Sequence, residues 1–355
     1  MFVRIGLALA LSATATSTST STAKVHTTAT ATVTSVARIP ATATVQAPAQ
    51  PPVGGLPGSS AKIVAKLAGR PVQLTSYMSS KGKPSRPELW AWDSTKRKFA
   101  LSPFNSSVAV SPDERWVATQ LGGRSDKVPQ LTFLDRKTGK SQTIDLPVPT
   151  YAGDNGDQYH QTIWPTWSPD SRQMLLNVFE PGFEPRSWGI VLVDVPTLKA
   201  RFVPIRKALI TVGGFQWTHD STGVVARWGK NGASSVRLYD LKGAVRRTWN
   251  VRGRPAGEGW GTFSPSGRRF VTACTSLEKA ACVWDTATGK AVTQIGLGFS
   301  ASWGTVLGWY DDKHLIASTD TGAGVVDLKG KVVETLVKAD KSQGFRPYFA
   351  ARGRP

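Results

Sequence analysis

Residues 151–160 read Tyr-Ala-Gly-Asp-Asn-Gly-Asp-Gln-Tyr-His, which places Asp154, Asp157 and His160 three apart. Oxygen-rich loops of this kind suit calcium, and an imidazole could complete a transition-metal site. The run lacks the full ligand series of a calcium loop. A solvated Asn-Gly turn with exposed carboxylates explains it as well, so no metal is assigned. Just downstream, Phe-Glu-Pro occurs twice, at residues 179–181 and 183–185. Glu180 and Glu184, with Asp154 and Asp157, are the carboxylates available for glycoside hydrolysis, a reaction that needs a pair at a set separation. Nothing in the sequence sets that separation, and a proline-stiffened rim loop accounts for the same residues. There is no G-x-S-x-G elbow, H-E-x-x-H helix or P-loop. A serine triad would have to draw its histidine from His160. The balance leans away from an enzyme, and no cofactor is implied.

The other chemical signal is cationic and aromatic. Lys83, Arg86, Arg124, Arg186, Arg252 and Arg254 fall in segments that read as loops, interleaved with Trp188, Trp260 and Trp303. Guanidinium groups beside indoles can hold anionic or sugar ligands through charge-assisted hydrogen bonds and stacking. These nine residues are the candidate ligand-binding set. The competing reading is that the cations decorate a surface while most of the thirteen Trp residues form core.

The chain of 355 residues has a formal net charge of +20, and residues 1–60 hold Arg4, Lys24 and Arg38 but no acid. The basic excess therefore belongs mainly to the remainder. Residues 1–15 carry Arg4, a short apolar run and Ala13-Thr14-Ala15, the pattern of a secretory signal peptide. The run is far short of the ~20 residues that a membrane span requires. Residues 16–60 are rich in Thr, Ser, Ala and Pro. Such composition offers too little apolar surface to offset ordering entropy, so a disordered linker is expected there. Cys274 and Cys282 are the two cysteines, and in an exported chain they are expected to form a disulfide. Export also disfavours nucleic acid as a partner, although the charge would suit it.

The elements that must position these residues come from a repeat. Ser-Pro-Asp-like turns centred on Asp113, Asp170, Asp220, Ser266 and Asp312 recur at intervals of 57, 50, 46 and 46 residues. Each unit also holds an apolar strand ending in Asp before a short Gly/Lys/Thr turn, at Asp93, Asp135, Asp194, Asp240, Asp285 and Asp327. A period of 40–50 residues with four short strands is that of β-propeller blades. Six Asp turns make six blades: an all-β, six-bladed propeller of four-stranded antiparallel blades, spanning residues 61–355.

"WSPDS", "VSPDE" and "FSPSG", each followed by an apolar strand and then by "VWDTATGK" or "LYDLKG", resemble TolB-like and WD-type propeller repeats. The resemblance covers roughly residues 61–353 and implies a fold used mostly as an interaction platform. The strict WD pattern is absent, because the chain has no Gly-His dipeptide and its four histidines do not recur once per blade. Five Ser-Pro-Asp-like turns precede six Asp turns, so the first blade lacks its inner strand. The tail "RPYFAARG" matches "WPTWSPDS" in register and is expected to supply it from residues 345–350, beside "VQLTSYM". The alternative donor is "AKIVAKLAG".

In such a propeller the b–c and d–a loops share one face, and the short a–b and c–d turns line the other. The insertions before and within blade 3 fall on the long-loop face. The leading expectation is a secreted or envelope-associated, monomeric, non-enzymatic scaffold that binds a protein or an anionic envelope polymer there. The alternative is a glycan-acting or metal-dependent hydrolase using Asp154, Asp157, His160, Glu180 and Glu184.

Overall fold

The structure is a computed structural model. It describes residues 49–352 apart from 81–86, 103–105, 122–125, 154–155, 180–186, 207, 210–213, 230–234, 258–259, 275–279, 298–305 and 341–343. The chain divides into Met1–Gln46, which lies outside the described residues, and Ala47–Pro355. The described residues of the second unit are strands and loops, arranged as a six-bladed propeller.

The blades, given from inner strand a to outer strand d, follow the repeat. Blade 2 is Ser106–Val110, Trp116–Leu121, Gln130–Asp135 and Lys140–Asp145. Blade 3 is Gln161–Trp167, Gln173–Phe179, Ser187–Asp194 and Lys199–Pro204. Blade 4 begins with Gln216–Trp217, continues with Gly223–Trp228, Ser235–Asp240 and Val245–Trp249, and adds Ala208–Leu209 beside its second strand. Blade 5 is Arg254–Pro255, Arg269–Ala273, Ala280–Asp285 and Ala291–Gly296, and blade 6 is Val306–Asp311, His314–Thr319, Gly322–Asp327 and Val332–Lys338.

Blade 1 is closed from the far end of the chain. Its b, c and d strands are Val72–Ser79, Glu88–Asp93 and Lys98–Leu101, and its inner strand is Arg346–Ala351. Phe349 pairs with Leu74 and Ala351 with Val72. The tail thus does what its match to blade 3 suggests. The other candidate, "AKIVAKLAG", takes a different place. Lys62–Ile63 pairs with Lys338 and Val337 on the outer edge of blade 6, and Gly54–Gly55 adds beyond it.

This second pairing corrects the linker boundary at residue 60. From Ala49 onward the proline-rich segment belongs to the propeller, because its few apolar residues are spent efficiently. Leu56, Ala61, Ile63, Ala65 and Leu67 are buried in one cluster with Tyr77 and Trp92 of blade 1 and Leu336 and Val337 of blade 6. Its backbone carbonyls accept hydrogen bonds from Trp92 Nε1 at Ala49 (2.8 Å) and from Ser79 Oγ at Gly58 (3.1 Å). Average composition misses such a segment, since burial of Leu56 and of four alternating side chains from Ala61 to Leu67 suffices to order it.

The remaining core lies in the seams between consecutive blades: 2 and 3, 3 and 4, 4 and 5, and 5 and 6. Tryptophans of the inner strands tie three of these seams. Trp167 Nε1 donates to the carbonyl of Ala109 at 3.0 Å, Trp217 to Thr166 at 3.2 Å, and Trp309 to Thr262 at 3.0 Å. Each indole buries a large apolar surface while its N–H meets a carbonyl of the preceding blade, so the polar tip is not left unpaired.

Candidate functional site

The long-loop face is built at two places among the described residues. The first is the corner of blade 3. The insertion before this blade folds as a hairpin, Thr150–Gly153 against Gly156–Tyr159. His160 follows it and is fully buried. Its Nδ1 lies 2.8 Å from the carbonyl oxygen of Pro149, which can only accept, so Nδ1 carries a proton and donates. In the neutral ring Nε2 is then a bare acceptor, and it is buried without a hydrogen-bond partner. The imidazole is held between Tyr151 (centroids 5.0 Å apart) and Trp188 (4.3 Å), and Arg206 lies over the Trp188 ring at 4.9 Å.

Of the other residues proposed for chemistry here, Asp154, Glu180, Glu184 and Arg186 lie outside the described residues. Asp157 lies on the second hairpin strand, and its side chain is not described. The carboxylate separation that a glycosidase reading needs therefore lies outside the described residues. Among the described residues no group of three or more His, Cys, Asp or Glu is placed to hold a metal.

The second place is the long-loop end of blades 4 and 5. Cys274 and Cys282 form a disulfide there, with Cα atoms 5.7 Å apart. Cys274 immediately follows strand b of blade 5, and Cys282 is the third residue of strand c. Arg252 and Arg254 run alongside. Gly253 between them has φ +90°, and a Cβ on it would stand 2.2 Å from the Ala273 carbonyl oxygen, so only glycine lets the chain pass so close to the bridge. The Arg252 carbonyl accepts from Thr272 Oγ1 at 2.9 Å, and the Arg252 guanidinium donates to Gln294 Oε1.

Two arginines of blade 4 that sequence reasoning did not single out reach the same end. Arg227 and Arg237 each keep a buried Nε without a hydrogen-bond partner. Arg237 lies over the Trp228 ring at 3.5 Å. Their positions within apolar strands mask them in the sequence, where alternation alone marks a strand residue as half-exposed and says nothing of its counter-charge. By contrast, Arg115–Asp135 (2.9 Å), Arg246–Asp240 (2.6 Å) and Lys96–Asp93 (3.5 Å) are ion pairs on the short-turn face.

Of the remaining candidate ligand-binding residues, Lys83, Arg86, Arg124 and Trp303 lie outside the described residues. Trp260 is a correction. It is 5% exposed, packs with Leu307 and Phe349, and gives its indole N–H to the Phe349 carbonyl at 3.0 Å. It ties the inner strands across the ring closure and presents no ring face to a ligand.

The class defined by this architecture is the six-bladed β-propeller. No protein-family model matches the chain, and no curated protein matches it. Among solved structures it resembles TolB from Acinetobacter baumannii, at TM-score 0.50 and 16% identity over 81% of this chain and 68% of that one. It also resembles chains from a mitotic checkpoint complex (TM-score 0.44, 13% identity, 76% and 86% covered) and from Kuenenia stuttgartiensis hydrazine synthase (TM-score 0.43, 11% identity, 70% and 79% covered). The likeness to TolB is one of fold: a TolB-like propeller.

Proposed function

We propose that this chain is an extracytoplasmic, non-catalytic scaffold that binds an acidic protein segment or an anionic envelope polymer on the face formed by its b–c and d–a loops. The observation that carries the reading is the concentration of arginine at the long-loop end of blades 4 and 5. Arg227, Arg252 and Arg254 gather there beside a disulfide, while the described acids Asp220, Asp240 and Asp285 of the same blades sit in turns at the opposite end; Glu258 and Glu278, in the long loops of these blades, lie outside the described residues. A disulfide-braced loop suits an oxidising compartment, in keeping with the leader-like residues 1–15. The likeness to TolB supports the scaffold reading only through the fold, since propellers recurrently present loop faces to partners.

The test is retention on immobilised acidic polymer at increasing salt. Reversing Arg252, Arg254 and Arg86 to Glu together is expected to abolish retention at physiological ionic strength while far-ultraviolet dichroism stays unchanged. Wild-type binding should weaken as salt rises, because exposed charges are screened over about 8 Å at 0.15 M. Retention unaffected by the triple reversal ends the reading.

A further inference from the structure

We propose that the long-loop end of the seam between blades 4 and 5 is a binding site for a carboxylate of an acidic, extended peptide, with half-buried Arg227 as the inner donor and Arg252 as the cation at its rim. The inference rests on the scaffold reading above and gives that face a ligand chemistry. Strand register sets the juxtaposition. In strand b of blade 4, Val225 and Arg227 alternate onto one side, which across the ladder also carries Val236, the partner of Arg227. Val225 and Val236 pack with Phe270, Cys282 and Trp284 of blade 5, so this side faces blade 5. In blade 5, Thr272 stands opposite Cys282 and Cys282 opposite Gln294, which places all three on the side that Cys282 turns toward blade 4. Arg252 crosses that side through its contacts with Thr272 and Gln294. Arg227 therefore faces the seam from the blade 4 wall, and exposed Arg252 lies at its rim on blade 5.

Arg227 Nε is buried without a hydrogen-bond partner. The described acids of blades 4 and 5 are committed elsewhere. Asp240 accepts from the amides of Lys242 and Ala244 and pairs with Arg246, and Asp285 accepts from Thr288. A planar carboxylate suits this guanidinium, since its two oxygens match the parallel N–H groups along one guanidinium edge. The apolar floor of the seam, formed by Val236, Trp249 and Val251, lowers the local dielectric and strengthens such a pair. The same edge can pair with a phosphate, so the experiment separates the two chemistries. Gly253 and the Cys274–Cys282 bridge hold the rim cation in place before any ligand arrives.

The experiment titrates the full chain with a fluorescent poly-glutamate peptide and, separately, with inorganic polyphosphate. Arg227→Gln is expected to weaken peptide binding at least about tenfold, a difference of about 1.4 kcal/mol. Arg227→Lys should recover little of it, because a point charge lacks the fork. A second readout does not depend on the peptide. With no acceptor for its Nε among the described residues, Arg227→Met should melt at or above the wild-type temperature, whereas the peptide should raise the melting temperature of the wild type alone. A residue with a purely structural role would give the reverse, a lower melting temperature for Arg227→Met. That result, or peptide affinity unchanged in Arg227→Gln, overturns the proposal. Polyphosphate bound in preference to the peptide with the same Arg227 dependence overturns the choice of an acidic peptide. Binding lost in Arg252→Glu but kept in Arg227→Gln leaves the scaffold reading standing and removes this site from it.

Discussion

Aspartate recurs after strand c because a tight reversal leaves backbone amides that a short carboxylate can reach. Asp240 accepts from the amides of Lys242 and Ala244, both at 2.9 Å, and Asp327 from those of Lys329 and Lys331 at the same distance. The amides of Ala244 and Lys331 hold these two carboxyls below the usual carboxylate range, and the Thr288 hydroxyl does the same for Asp285. At Asp135 a side chain adds to this. Arg115 donates to both of its oxygens, at 3.2 and 2.9 Å, and that guanidinium is the main cause of its lowered pKa. A carboxyl with a lowered pKa in the folded chain contributes stability above its unfolded pKa and loses it as pH falls through the folded value. Asp135→Asn is therefore expected to melt a few degrees below wild type at pH 7. The gap should close on acidification below about pH 4, the unfolded range of Asp, and thermal melts across that range check it. Glu114 works the other way, since burial beside the Gln50 amide pushes its carboxyl up. The Asp turns were readable from the sequence because each interaction is local. The exposed or buried state of Arg227 was not, because it depends on which blade a strand face meets.

At the scale of the element, the Ser-Pro-Asp turn joins blades as well as strands. Ser168 Oγ bonds the Asp170 carboxylate and accepts from the Gln173 amide, which closes the reversal between strands a and b of blade 3. Its fourth residue, Ser171, takes φ 62°, and from that left-handed position its hydroxyl accepts the Asp113 amide of blade 2 at 3.0 Å. Ser221, with φ 62°, accepts the Asp170 amide of blade 3 in the same way. The repeat period and its strand–turn–strand grammar were therefore visible in the sequence, whereas the contact between neighbouring turns was not, because it spans more than fifty residues. The hairpin at Thr150–Gly153 and Gly156–Tyr159 shows in the sequence only as an insertion, since its residues have too little apolar alternation to mark strands. The cysteine pair did declare itself, and its bridge carries a prediction of its own. Replacing both Cys274 and Cys282 by Ser opens a loop of eight residues in sequence separation. In the chain-entropy account this is expected to cost about 2–3 kcal/mol in denaturant unfolding. It should also weaken binding at Arg252 and Arg254, because the bridge braces the segment that carries them. Unfolding midpoints that coincide with wild type would show that the bridge adds nothing to the fold.

A propeller must keep its first and last blades together, and this chain does so with strands from both ends. The tail supplies the inner strand of blade 1, while residues 54–63 extend the outer edge of blade 6. Between them, Leu56, Ile63 and Leu67 fill the seam that these blades share. The two devices differ in what they protect. The outer addition covers one sheet edge, but the inner strand completes the ring, and its loss exposes three things together. The ladder groups of Val72–Ser79 lose their partner, Phe349 and Ala351 leave the core, and the Trp260 indole N–H loses its acceptor. An unpaired inner edge beside a buried, unsatisfied donor is costly in a way that fraying of a surface strand is not. Deleting residues 343–355 is therefore expected to lower the melting temperature by many degrees and to broaden the transition. A synthetic peptide of residues 344–355 added in trans should raise it again in a concentration-dependent manner, as mass action requires for a segment that binds the folded ring alone. Differential scanning calorimetry reads both effects. A deletion variant that melts like the full chain would mean that the segment 49–67 holds the ring closed by itself.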